Sequence, residues 1–270
     1  MSSSLLYPNE LVITDRTSGS VIQSGSSGVG TGWDKPESVG YGAAVKPFPP
    51  GLLLSWDEIK QRARERQKSK SQLSNKILDY GLTTLMQGGT NFCFANAPYN
   101  LVRIMNMLAN QPPIDLSAAS VACKITGFRN QGGFAGDVLD YMSQYGMVPT
   151  ELWPTNAISR KYDTDSAWAA ASKFTVTDWI QLEVGNTQQL ASLNVQDIPV
   201  AKAYQWFYPG PHEITGTDVV VDDNGNVSFR DWNSWSESYS YKGFFCVSGP
   251  RRMQFNDGVA CLSFAPGLAV

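Results

Sequence analysis

Only one histidine, His212, stands in a chain of 270 residues, and only four cysteines accompany it: Cys93, Cys123, Cys246 and Cys261. No two cysteines have C-x-x-C spacing, so the ligands of a zinc centre are missing in both kind and pattern. Neither a metal nor any other cofactor is expected. Charge is also scarce, since Asp, Glu, Lys and Arg make up 17% of the residues and the formal net charge is -3. A chain so nearly balanced has no overall field to gather nucleic acid. No run approaches the roughly 18 consecutive apolar residues that cross a bilayer, so no membrane partner is expected. The opening Met1-Ser2-Ser3-Ser4 lacks a basic stretch leading into an apolar one, and secretion through a signal peptide is not expected.

What the chain does have is aromatic mass: eight Trp, eleven Tyr and twelve Phe. That is the composition of an ordered globular protein, long enough for one large core or two lobes packed together. Three stretches differ in character. Residues 1–54 are rich in Gly, Ser and Pro, densest in Gly and Ser from Ser18 to Gly42, and read as an extended arm. Ordering such a segment costs about 1–2 kcal/mol per residue, so it needs a surface to lie on. Its own body, a sister subunit and a larger assembly all qualify; an assembly through the arm is the expectation. The β-like Leu11-Val12-Ile13 could add a strand to that surface.

Residues 55–80 read as one basic helix to about Asp79, opened by the capping box Ser55-Trp56-Asp57-Glu58. Its seven Lys and Arg from Lys60 to Lys76 fit a solvated face or an acidic partner. Residues 81–270 form the body. Leu101, Ile104, Met105 and Leu108 recur at helical spacing after Cys93, and Val138, Leu139, Tyr141 and Met142 do so before Gly146. Beyond Phe174 the text turns strand-like at 175–180, 198–206, 218–222 and 226–232, the last two joined by Asp223-Asn224-Gly225. The fold class is α+β: a helical lobe over about 81–165, then an antiparallel β lobe over about 170–270.

Cys93 follows the turn Gln87-Gly88-Gly89-Thr90 and begins a helix. A helix N-terminus and a nearby imidazole activate a thiol, whereas a bare cysteine is more often a small buried hydrophobe. The surrounding text favours the first reading. Gln87 to Ala95 resembles the nucleophile motif Q-G-x-C-G-S-C-W-A of the papain-like cysteine peptidases, with the Gln-to-Cys spacing kept. Leu116 to Cys123 is similar to that family's L-S-E-Q-x-L-x-D-C, and Gln131-Gly132-Gly133-Phe134 to its N-G-G-Y. Asn233-Ser234-Trp235 matches N-S-W, with Tyr239, Ser240, Gly243 and Phe244 following in register, and Gly258 to Leu262 resembles G-V-C-G-L.

The resemblance implies a papain-like two-lobe fold and cleavage of peptide bonds. Cys93 would be the nucleophile, His212 the base, Asn233 the residue that orients the imidazole, and Gln87 an oxyanion donor. Gly132 and Gly133 would line up the peptide or protein substrate, and Trp235 would shield the His212–Asn233 bond. There are departures. Thr90 and Asn130 stand where secreted members have a disulfide, and Cys123 lacks a partner near Tyr162. Pro98 falls in the second turn of the helix. Glu213 follows His212 where the family has a small residue; it could hold an imidazolium or fill the cleft. The alternative is a structural protein, such as a virion capsid or tail component, built on the same scaffold. A cytoplasmic or virion-associated location fits either.

Overall fold

The structure is a computed structural model and describes residues 5–22, 30, 32, 44–207 and 209–265. Much of the Gly/Ser-rich stretch Ser18 to Gly42 lies outside the described residues. In chain order the elements are β1 (Leu11–Ile13), α1 (Gly19–Ile22), β2 (Val45–Lys46), α2 (Trp56–Ser69), α3 (Leu73–Tyr80), α4 (Cys93–Leu108), α5 (Ala118–Thr126), α6 (Ala135–Tyr145), α7 (Asp165–Ala171), β3 (Thr175–Gln181), α8 (Thr187–Asn194), β4 (Val200–Tyr204), β5 (His212–Val221), β6 (Val227–Trp232), β7 (Phe244–Val247) and β8 (Phe255–Ala265).

The strands form one sheet in the order β1-β7-β6-β5-β4-β8-β3-β2. Its six central strands are antiparallel neighbours, and the two edges are parallel additions from the N-terminal segment: β1 on β7 and β2 on β3. Strand side chains alternate between faces, so successive residues of β4 enter different cores. Ala201 joins Val259 and Cys261 beneath α4, α5 and α6, whereas Val200 and Tyr204 join Ile214 and Phe229 with α2 and α8. The helical half followed by a β half is therefore present as expected, with a sheet wider than the sequence suggested.

Leu11–Ile13 adds its strand to the chain's own sheet. The buried Glu10 carboxylate takes Arg230 Nε–H at 2.6 Å and Nη2–H at 2.8 Å. The Arg230 guanidinium lies 4.3 Å from the centre of the Tyr7 ring, a cation–π contact. The described parts of the segment thus rest on this chain.

One expectation is corrected. The helix opened at Ser55 does carry the capping box, with Glu58 N–H on Ser55 Oγ and Ser55 N–H on Glu58 Oε2. It ends at Ser69, because Lys70 turns left-handed at φ 54. A second helix, α3, then starts at Leu73. The break has a cause outside the helix. The Asp218 carboxylate on β5 accepts the N–H groups of Leu73 and Ser74, caps α3 and offsets the unpaired donors that a new helix start exposes.

Candidate active site

α4 packs across β5, β4 and β8 and brings its first residue to the start of β5. Asn100 Nδ2–H donates to Thr215 Oγ1, and Thr215 Oγ1–H donates to Ala97 O, which fix the crossing. Cys93 opens α4 and His212 opens β5, so both candidate residues stand at the first position of an element. The Cys93 sulfur is fully buried and takes hydrogen bonds from the backbone N–H groups of Gly32, Glu213 and Phe94. Glu213 is the residue next to His212, so its N–H brings the start of β5 directly to the sulfur.

His212 Nε2 lies 2.7 Å from Asn233 Oδ1. The same oxygen accepts the backbone N–H of Ser234 at 2.7 Å. Asn233 Oδ1 is therefore an acceptor on both sides, and Nε2 must carry the imidazole proton. Nδ1 is left as the basic nitrogen, buried and without a hydrogen bond among the described residues. Trp235 stacks on the imidazole with ring centres 4.4 Å apart and an angle of 25°, and Phe207 closes the next side at 5.1 Å. Burial pushes the His212 pKa down to about 4 against the pull of the Asn233 bond. It pushes the Cys93 thiol up to about 12, opposed by the three backbone N–H groups. With its sulfur and ring enclosed in this way, the site rests as a neutral thiol and a neutral imidazole.

Gln87 is held from two sides by Ser234. Its backbone N–H donates to Ser234 O at 2.9 Å, and Ser234 Oγ–H donates to Gln87 Oε1 at 2.6 Å. That turns Nε2 outward, where it donates to Thr90 O at 2.9 Å and Gly30 O at 2.8 Å. Ser234, inside the N-S-W match, thus fixes the orientation of the Gln87 amide. Asn130, at a disulfide position of secreted papain-like enzymes, ties the same two loops by hydrogen bonds. Its Oδ1 accepts from Asn91 N–H at 2.7 Å and its Nδ2–H donates to Gly89 O at 3.1 Å.

Of the two glycines expected to line up substrate, Gly133 donates its N–H to Gly32 O at 2.8 Å. A Cβ on Gly132 would lie 2.5 Å from the same oxygen, and one on Gly133 would lie 2.5 Å from the Phe94 ring. Glu213 points its carboxyl into the interior with neither oxygen hydrogen-bonded among the described residues. Burial, then the charge of Asp257, raises its pKa well above the usual carboxyl range, so the side chain is neutral and holds no imidazolium. Cys123 is a free thiol, its Sγ 3.7 Å from Ala157 O. No metal-binding group of His, Cys, Asp and Glu occurs among the described residues.

No protein-family model and no curated protein matches this sequence. Solved structures do match the fold. Xylellain, a cysteine protease from Xylella fastidiosa, is 16% identical and aligns over 90% of this chain and 97% of its own, with a TM-score of 0.59. Digestive procathepsin L 3 of Tenebrio molitor larval midgut is 15% identical over 89% of this chain and 79% of its own, with a TM-score of 0.60. The cysteine protease and lectin-like domains of Cwp84, a surface layer associated protein of Clostridium difficile, are 17% identical over 71% and 52%, with a TM-score of 0.57. At these identities it is the fold that is common to the chains. This chain has the papain-like cysteine protease fold.

Proposed function

We propose that the chain is a cysteine peptidase, with Cys93 as nucleophile, His212 as base, Asn233 orienting the imidazole and Gln87 in the oxyanion hole. The observation that carries the reading is the His212–Asn233 bond, which protonates Nε2 and leaves Nδ1 basic, one residue from the N–H that touches the Cys93 sulfur. In the reaction the Cys93 thiol transfers its proton to His212 Nδ1, and the sulfur attacks the carbonyl carbon of a peptide bond. The oxyanion is met by Gln87 Nε2–H and by the Cys93 N–H, which has no acceptor within the helix it begins. His212 returns the proton to the amine nitrogen as the C–N bond breaks. Water then hydrolyses the thioester, His212 serving as base again.

A scaffold role is the second reading. It draws on the neutral resting site and on the described N-terminal residues that fill the cleft. Hydrolysis of a mixed peptide library by the full chain, with Cys93→Ala as control, separates the two. Cleavage lost in the variant supports the peptidase; no cleavage by either, even after long incubation, favours the scaffold.

A further inference from the structure

Lys202 and Asp231 form a charged pair whose side chains are both 0% exposed. The pair lies on the face of the sheet that carries Val200, Tyr204 and Phe229, away from α4 and the Cys93 site. Lys202 Nζ stands 2.7 Å from Asp231 Oδ1. With a C–O bond of about 1.2 Å, the carboxyl carbon is within about 4 Å of that nitrogen. The contact is close without being satisfied. Nζ, Oδ1 and Oδ2 all lack a hydrogen bond among the described residues, because the approach misses hydrogen-bond angles.

The two residues are not strand neighbours. Lys202 is on β4 and Asp231 on β6, and Gly216 of the intervening β5 pairs with Val200 on one side and Asp231 on the other. A Cβ on Gly216 would lie 3.2 Å from Lys202 Cε and 3.4 Å from Nζ. The bare backbone is the gap through which the lysine crosses β5, and Asn194 Nδ2–H holds it by donating to Gly216 O at 3.1 Å. The rings of Tyr204 and Phe229 flank the nitrogen, with centres 5.3 and 4.8 Å from Nζ.

In so dry a site an ion pair loses much of its Coulomb gain to desolvation, the more so where hydrogen bonds do not offset it. Burial pushes the Lys202 pKa down and the Asp231 pKa up to about 6, each opposed by the other's charge. The charges of Asp218 and Glu10 add to the rise at Asp231. Both groups are drawn towards the forms that react with each other, a free amine and a neutral carboxyl. Fixed contact removes the need for an encounter, which is the larger part of the barrier to joining two such groups.

We propose that Lys202 and Asp231 join in an intramolecular isopeptide bond that staples β4 to β6. The ammonium passes one proton to the carboxylate, and the neutral Nζ attacks Cγ to form the N–C bond. A second proton leaves the nitrogen for the hydroxyl oxygen, the C–O bond breaks, and one water departs. The amide keeps the third proton, and no oxidant or reductant takes part. The Tyr204 hydroxyl, buried beside the pair and without a hydrogen bond among the described residues, can relay the second proton. None of this depends on the peptidase reading.

The test is intact mass spectrometry of the full chain, denatured after incubation of the folded protein at neutral pH, followed by tryptic mapping. The wild type should be lighter than its sequence mass by one water. It should resist cleavage after Lys202 and yield one branched peptide that carries both residues. Lys202→Met and Asp231→Ala should each keep the full mass. A wild type at full sequence mass, with trypsin cutting after Lys202 as after any lysine, overturns the proposal. So does a lost water that maps to a linear peptide, such as a succinimide at Asp257-Gly258, or one that persists in either variant. Should the variants not fold, the wild-type map decides alone.

Discussion

Asn233 Oδ1 accepts from both His212 Nε2–H and Ser234 N–H, each at 2.7 Å, so the tautomer of the only histidine is set by a backbone amide one residue away. The orientation matters because an amide turned the other way would donate to Nε2 and move the ring proton to Nδ1, abolishing the base. Asn233→Ala should lower kcat/KM about 10- to 100-fold, the scale of losing ~1–3 kcal/mol of hydrogen bonding in a buried site. The measurement is steady-state hydrolysis of the best library peptide. A loss confined to KM would sink the assignment.

Gln87 and Ser234 make a second coupled pair. Removing one preorganised oxyanion donor costs about 10²–10³ in kcat, so Gln87→Ala should fall in that range with KM nearly unchanged. Ser234→Ala leaves the donor present but loosely aimed, and should cost only about 3- to 10-fold. If Ser234→Ala is as damaging as Gln87→Ala, the hydroxyl has a role of its own and the positioning argument is wrong.

How much of this was legible in the sequence depends on whether a feature is local. The helix that begins at Cys93, the capping box at Ser55 and Gly146 at the end of α6 are written within a few residues, and the structure has each of them. The break at Lys70 is not local, since Asp218 lies far along the chain and imposes it from a strand. The early start of β5 was also hidden. The strand-like pattern was read from Asp218, but the ladder begins at His212, where polar side chains such as Glu213 and Thr215 are buried and disguise the strand. Gly30 and Gly32 read only as parts of an extended Gly/Ser-rich arm, because the close approach of Thr90 and Asn91 to them is something composition cannot reveal.

Two adjacent residues give stability opposite slopes with pH. His212 has a folded pKa of about 4, below its unfolded value of ~6.5, so the native state binds the proton less well. Stability is lost as pH falls through that window, by about 3 kcal/mol in all. Glu213 has a raised folded pKa, so its contribution is fully present below the unfolded value of ~4.3 and is lost as pH rises above it. Urea unfolding across pH 4–8 should therefore show Glu213→Gln more stable than wild type at pH 8, with the difference vanishing towards pH 4. His212→Asn should flatten the acid side. Parallel pH curves for all three proteins would contradict both assignments.

The Glu10–Arg230 pair supports the N-terminal anchor most directly. Both side chains are buried, at 0% and 1% exposure, and two hydrogen bonds join them. Breaking such a pair from one side leaves an uncompensated charge in the interior, at a cost of ~3–5 kcal/mol. Glu10→Ala should lower the urea midpoint accordingly, because among the described residues Arg230 would be left with the Leu5 O hydrogen bond, the Tyr7 ring and the charge of Asp218, but without its hydrogen-bonded carboxylate. Replacing both partners by Met removes the stranded charge and should recover most of the loss, as apolar substitutes for buried pairs do elsewhere. The single variant would also free β1 from its only buried ion pair with the sheet among the described residues. A Glu10→Ala protein within about 1 kcal/mol of wild type would mean that β1 is held by its backbone ladder to β7 alone, and the anchor would then be far weaker than the buried charges imply.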